Sequence, residues 1–289
     1  MTSTSTDNDT ILNATNTIMD IYPELDIQKA MAIAQEFESS GFIDTCENLS
    51  KIIICQSIIR KWLVSKKNIH SICKKLNLLQ DTFKSVINGY HIINKTPIKE
   101  TVWEEVNCDI VRDVCNISDE ANGNHVSGKD NRFDNCNVSN KSAKTDKDKV
   151  SISSYRLSSV CDSANNGNPS DIINEIERRD ESFDMYSLLV RSEKENPIIG
   201  YSWYMIPKDH FVFKINELVP KIGKMGKKKG KIVGWKSEYC DITFSMSSQL
   251  WYKFNIETIE KYKISYVEVD NSKSKINYSQ IYNSFSNTI

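Results

Sequence analysis

An aspartate and a lysine, Asp130 and Lys141, lie in one short polar stretch, SGKDNRFDNCNVSNKSAK (residues 127–144), with Ser139 two positions before the lysine. Upstream, residues 100–116 (ETVWEEVNCDIVRDVCN) carry Glu104 and Glu105. Phosphodiester hydrolysis assisted by a divalent ion needs hard oxygen ligands. It also needs an ammonium nearby to orient the attacking water or to offset charge on the phosphorane. An acid-bearing helix followed by a hairpin that presents Asp and Lys meets both needs compactly. Read on residue types alone, the same stretch also fits a charged, solvated hairpin, so the surrounding elements carry the argument.

Those elements follow from periodicity and punctuation. Residues 10–50 place apolar side chains at roughly helical intervals, interrupted at Pro23 and Gly41, and predict two or three helices. The helical pattern continues through residues 51–63 and 68–90. In residues 100–116, Val102, Trp103, Val106, Ile110, Val111 and Val114 form one stripe of a further helix. Residues 117–149 turn polar and Gly/Asn/Asp-rich, with strand character only around 137–143. Residues 150–157 alternate as a strand, and residues 169–179 open on Pro and read as a helix. Residues 183–190, 199–206, 243–256 and 262–269 read as strands. The order is helix, hairpin, strand, helix, strand, strand, which is α/β.

On these residues the chain resembles the PD-(D/E)XK nuclease superfamily, in particular type II restriction endonucleases. Asp130 takes the place of the first acid, and Ser139-Asn140-Lys141 the place of the acid-x-Lys. The resemblance covers about residues 99–206. It implies an α/β restriction-endonuclease-like core, a mixed sheet flanked by helices, behind an N-terminal helical domain. It also implies cleavage of double-stranded DNA with Mg²⁺ or Mn²⁺. Asp130 would bind metal, Lys141 would position water, and Glu105 or Glu104 would supply a second carboxylate, because Ser139 stands where the family has an acid. No Pro precedes Asp130, a second departure; Asp134 and His125 are secondary candidates. Ser153, Ser154 and Arg156 on the next strand, with Lys144, would contact DNA. A homodimer would let each subunit cut one strand.

Two basic segments extend this reading. Residues 51–63, KIIICQSIIRKWL, resemble the IQ calmodulin-binding motif, with Gln56 and Arg60 in register, but Cys55 and Lys61 depart from it. This suggests a calmodulin-like partner held by a basic amphipathic helix; a helix packed into its own domain fits the pattern as well. Residues 221–231, KIGKMGKKKGK, interleave six Lys with three Gly. Glycine permits close backbone approach and Lys neutralises phosphate, so Lys224, Lys227, Lys228 and Lys229 suit a flexible clamp on a nucleic-acid backbone. A solvated loop is the plain alternative.

Composition bounds the classes. At 289 residues the chain can bury a core without staples, and its eight cysteines show neither C-x-x-C pairs nor zinc spacing. The reading is therefore reduced thiols in an intracellular protein, cytoplasmic or nuclear and not secreted, with no membrane span. No P-loop, G-x-S-x-G or H-E-x-x-H motif is present, which argues against nucleotide hydrolysis, α/β-hydrolase chemistry and zincin proteolysis. Charge is uneven: residues 1–47 hold nine acids and one Lys, whereas residues 207–236 hold nine Lys. The expected organisation is a polar tail (1–10), a helical domain with the IQ-like helix (11–97), the α/β domain (98–270) and a polar tail (271–289).

Overall fold

The computed structural model describes residues 69–114, 117–118, 130–133, 136–161, 167–193, 197–215, 218–226, 229–244 and 248–272, with isolated helical positions between 11 and 35. The chain divides into two units, Met1–Asp81 and Thr82–Ile289. In the first unit the described positions are helical, with Ala30 and Ala34 fully buried and Thr15 Oγ1 donating to the Ile11 carbonyl at 2.7 Å.

The elements, in chain order, are α1 (Ile69–Ile93), α2 (Glu100–Val111), β1 (Ile117–Ser118), β2 (Asn131–Phe133), β3 (Cys136–Asp146), β4 (Lys149–Arg156), α3 (Pro169–Asp180), β5 (Met185–Glu193), β6 (Ile198–Pro207), β7 (Val219–Ile222), β8 (Ile232–Lys236), β9 (Cys240–Thr243), β10 (Gln249–Asn255) and β11 (Lys263–Asp270). Short 3₁₀ turns occupy Phe211–Phe213 and Ile256–Tyr262. The second unit is thus mixed α/β with one large mixed sheet. Its strand order is β11-β6-β5-β3-β4-β10-β9-β8-β7, with β1 and β2 branching from β3. No described helix is long and apolar enough to cross a membrane.

β3 is the strand on which the sheet turns. Its residues 138–144 run parallel to β5, the expected outcome when α3 carries the chain back across the sheet. At its far end β3 turns into β4 through Lys147 and Asp148, both at positive φ (48° and 63°), a two-residue loop of the type whose twist matches the strands. α3 begins where the sequence says it should: Asn168 accepts from the Ser170 N–H at 3.0 Å, Pro169 opens the helix, and Arg178 and Arg179 close it. Ile172 and Ile176 then face a core that includes Val150, Ile152, Tyr186, Leu188, Tyr204, Phe213, Tyr252 and Phe254.

A separate aromatic cluster holds α2. Phe83 of α1 stacks on Trp203 at 5.8 Å between centroids, and Trp103 meets both rings edge-on. The α2 stripe is buried at Trp103, Val106, Ile110 and Val111, and it also contains a buried Asn107.

The strand expected over residues 243–256 is two strands. β9 ends at Thr243 and β10 starts at Gln249, paired antiparallel so that Trp251 faces Thr243. β9 ends before Phe244, and Ser248, at positive φ (56°), immediately precedes β10. The Lys/Gly run joins β7 to β8: Lys221 and Ile222 end β7, and the described residues from Gly223 to Lys231 form the connection, closed by Gly223 N–H to the Lys231 carbonyl (2.8 Å) and Gly230 N–H to the Gly223 carbonyl (2.9 Å). A loop expected over this run is thus present, carried on the strand pair that residues 219–222 and 232–236 form.

Candidate functional site

β3 carries a gap in its pairing. β2 covers residues 136–138 of one edge and β4 joins at 145–146, while among the described residues no strand pairs with that edge between them. Asp130, immediately before β2, fills the gap. Its Oδ2 accepts the Asn140 N–H at 2.5 Å and the Ser139 hydroxyl at 3.3 Å, and its own N–H donates to the Val138 carbonyl at 2.9 Å. Lys141 follows on the same face of the strand as Ser139, two residues on. Its ammonium donates to Glu100 Oε1 at 2.9 Å and to the Asn140 carbonyl at 2.8 Å, and lies 3.8 Å from Asp130 Oδ2.

The three charges differ in exposure. The Lys141 side chain is 8% exposed, Asp130 23% and Glu100 38%, so the ammonium is sheltered while the two carboxylates keep a side toward solvent. Burial pushes the Asp130 carboxyl above the usual range, and the Glu100 charge adds to this. Lys141 and the Asn140 N–H pull the other way.

Beneath the charges lies a buried amide network. Asn140, on the opposite face of β3, accepts from Asn107 Nδ2 at 2.7 Å and donates to Asn131 Oδ1. Asn107 also donates to Ser187 Oγ at 2.9 Å, which accepts from Trp203 Nε1 at 3.0 Å, and Asn131 Nδ2 reaches Cys108 Sγ at 3.1 Å. Asn107, Asn131, Asn140 and Ser187 are all fully buried. The network ties α2, β2, β3, β5 and β6 together at the point where Asp130 and Lys141 emerge. Desolvated amides joined this way fix one arrangement, since any slip strands donors in the interior.

The structure therefore brings Asp130, Ser139 and Lys141 together. The acid that meets Lys141 is Glu100, one helical turn before Glu104. Glu104 is half-buried farther along α2, and Glu105 is exposed. Sequence reasoning missed Glu100 because it weighed acids near the middle of α2. The available signal was that the helix begins at Glu100, since a first-turn acid is free to face outward beyond the helix end. The Asn107 network was also missed, although an Asn amid the stripe Trp103, Val106 and Ile110 marks a polar group on a buried face. Among the described residues no three His, Cys, Asp or Glu side chains form a group able to hold a metal.

The expected nucleic-acid contacts fall at several places. Lys144 pairs with Glu193 of β5, so its ammonium is already engaged. Arg156 is exposed, Ser153 is half-exposed, and the Ser154 hydroxyl lies 3.5 Å from the Tyr186 hydroxyl. Lys224 and Lys229 are exposed on the β7–β8 hairpin. Gln56, Arg60, His125, Asp134, Lys227 and Lys228 lie outside the described residues.

A mixed α/β unit with two carboxylates around a sheltered ammonium at a strand fork is the class that fold and site define. Comparison with protein-family models, with curated proteins and with solved structures gives no match to this chain.

Proposed function

We propose that the chain is a metal-dependent DNA endonuclease with a restriction-endonuclease-like core. The observation that carries this is the meeting of Glu100, Asp130 and Lys141 at β3, contributed in the order helix, strand, strand by the run α2-β2-β3-β4-α3-β5. Mg²⁺ binds proteins through one or two carboxylates and takes its remaining ligands from water and substrate phosphate. Glu100 and Asp130 fit that donor set, both lying within reach of one ammonium and both open to solvent on one side. A bound ion would supply Lewis-acid polarisation of a phosphoryl oxygen and a more acidic water. Lys141 bridges the two carboxylates, offsetting their mutual repulsion, and would present positive charge beside the reacting phosphate. Ser139 orients Asp130 through its hydroxyl, in place of contributing a ligand. The exposed Lys224, Lys229 and Arg156 would supply salt-dependent attraction to the DNA backbone.

Nicking of supercoiled plasmid with Mg²⁺ or Mn²⁺ tests the reading. Wild type should nick, and Glu100→Gln, Asp130→Asn and Lys141→Ala should each lose the activity, whereas Glu105→Gln should keep it. Equal nicking by all five proteins would overturn it. The second reading, a DNA-binding protein that no longer cleaves, is favoured by one feature: Ser139 at the acid position donates to Asp130, leaving two carboxylates at the site. Binding of duplex without cleavage by wild type would select it.

A further inference from the structure

The outer face of the sheet half β4-β10-β9-β8-β7 is a second feature, separate from the Lys141 site. Along β10, Leu250, Tyr252 and Phe254 are buried to 1% exposure or less, so the alternate residues Gln249, Trp251, Lys253 and Asn255 share the other face. Trp251 on that face is 40% exposed. Register aligns its neighbours: Ser153 lies beside it on β4, Thr243 on β9, and beyond Thr243 comes Gly234 on β8. All three are small, so nothing on the flanking strands rises to cover the indole. At Gly234 no larger residue fits, because a Cβ would stand 1.9 Å from the Ile242 carbonyl oxygen.

Charge surrounds the ring. In the next cross-strand row Lys253 and Lys236 are exposed on either side of Asp241, whose carboxylate is taken by Lys221 through both oxygens at 2.8 Å. Lys149 and Arg156, both exposed, lie at the two ends of the β4 edge, opposite Asn255 and Gln249. With Asp241 balanced by Lys221, Lys253, Lys236 and Arg156 remain around one exposed indole, and Lys149 beyond them stands opposite Asp146 across the β3–β4 ladder.

We propose that this face binds single-stranded nucleic acid, with Trp251 stacking on an unpaired base and Lys253, Lys236, Lys149 and Arg156 contacting successive phosphates. The charge calls for a polyanion and disfavours two copies meeting through this same face, where like charges would oppose each other. The indole specifies the form: a duplex keeps its base faces inside its own stack, whereas an unpaired base offers a π-face to an aromatic on an open sheet. This platform is separate from the Lys141 site and independent of hydrolysis there, and its ligand, an unpaired strand, differs from the duplex that site would cut.

The test is fluorescence anisotropy of a labelled oligothymidylate of about 16 nucleotides, in EDTA so that no cleavage intervenes. Loss of one base–aromatic stack predicts that Trp251→Ala weakens binding about ten-fold, with Trp251→Phe retaining most of the affinity. Lys236→Glu/Lys253→Glu should weaken it further and flatten its salt dependence. Tyr266→Ala, which removes a 39%-exposed aromatic on β11 at the far edge of the sheet, should bind as wild type does. Asp130→Asn should also bind normally, so loss of cleavage and loss of this platform are read separately. Unchanged binding by Trp251→Ala, or a wild-type preference for duplex of equal length, would overturn the proposal.

Discussion

Acid should unfold this protein partly through His210, and the structure gives the size of the effect. His210 precedes the 3₁₀ turn Phe211–Phe213, and its Nδ1 accepts from the Val212 N–H at 3.5 Å. The ring proton therefore sits on Nε2, which is buried and has no partner among the described residues. Phe211 (4.4 Å) and Tyr262 (5.0 Å) enclose the imidazole. Burial, followed by the Lys261 and Lys214 charges, lowers its pKa from 6.5 to about 4. The unfolded chain takes up this proton first as pH falls. The stabilisation from a neutral His210 is thus complete above pH 6.5, declines through the window from 6.5 to about 4, and is lost below it. The lowering corresponds to about 3 kcal/mol.

Asp180 works in the opposite direction. Burial raises its carboxyl from 3.8 to about 6, against the pull of the Tyr155 hydroxyl and Lys208. Its contribution is complete below pH 3.8 and is lost as pH rises through about 6, again by about 3 kcal/mol. The two nearly cancel between pH 4 and 6, so total stability alone would hide both. The assay is urea unfolding at half-unit pH steps, comparing wild type with His210→Asn, which keeps an acceptor for the Val212 N–H, and with Asp180→Asn. Relative to His210→Asn, wild type should lose about 3 kcal/mol between pH 7 and 4. Relative to Asp180→Asn it should gain a similar amount. A difference that stays flat with pH for His210→Asn, or an imidazole pKa of 6 or above by NMR titration, would refute the reasoning.

Three further outcomes follow from other contacts. Lys141→Met leaves Glu100 and Asp130 facing each other without their ammonium. It should cost about 1–3 kcal/mol, discounted because Glu100 is partly solvated, and differential scanning calorimetry should show Mg²⁺ raising Tm more in this variant than in wild type. Ser187→Ala strands one N–H of the Asn107 amide, whose other N–H keeps Asn140, and the Trp203 indole N–H in the interior; chemical denaturation should register a loss of about 2–4 kcal/mol. Lys147→Asn/Asp148→Gly puts favoured residues at the two positive-φ positions of the β3–β4 turn and should raise Tm by about 2–4 °C, near 1 kcal/mol at this chain size.

Much of the element order was legible in the residues. The Pro169 start of α3, the α2 stripe and the apolar runs of β5 and β6 all lie where local pattern puts them, within a few residues. Asp130 and Lys141 could be chosen because their types and spacing suit one site. The partner acid could not be, because each helical residue turns the side chain through about 100°, and which of Glu100, Glu104 or Glu105 meets Lys141 depends on how α2 is rotated on the sheet. That rotation is set by Trp103 against Phe83 and Trp203, contacts between residues far apart in the chain.

Trp251 shows the same division. Side-chain type alone would place Trp251, between Leu250 and Tyr252, in the core, yet alternation along β10 turns it outward once Leu250 and Tyr252 face in. The strands β7, β8 and β9 are short and depend on cross-strand partners for their existence. The sequence by itself determined the local elements and the residue types that could do chemistry. Only the packed fold decided which acid joins Lys141, which aromatic faces solvent and where one edge of β3 has no strand partner among the described residues, because these depend on register and helix rotation, which are properties of pairs distant in sequence.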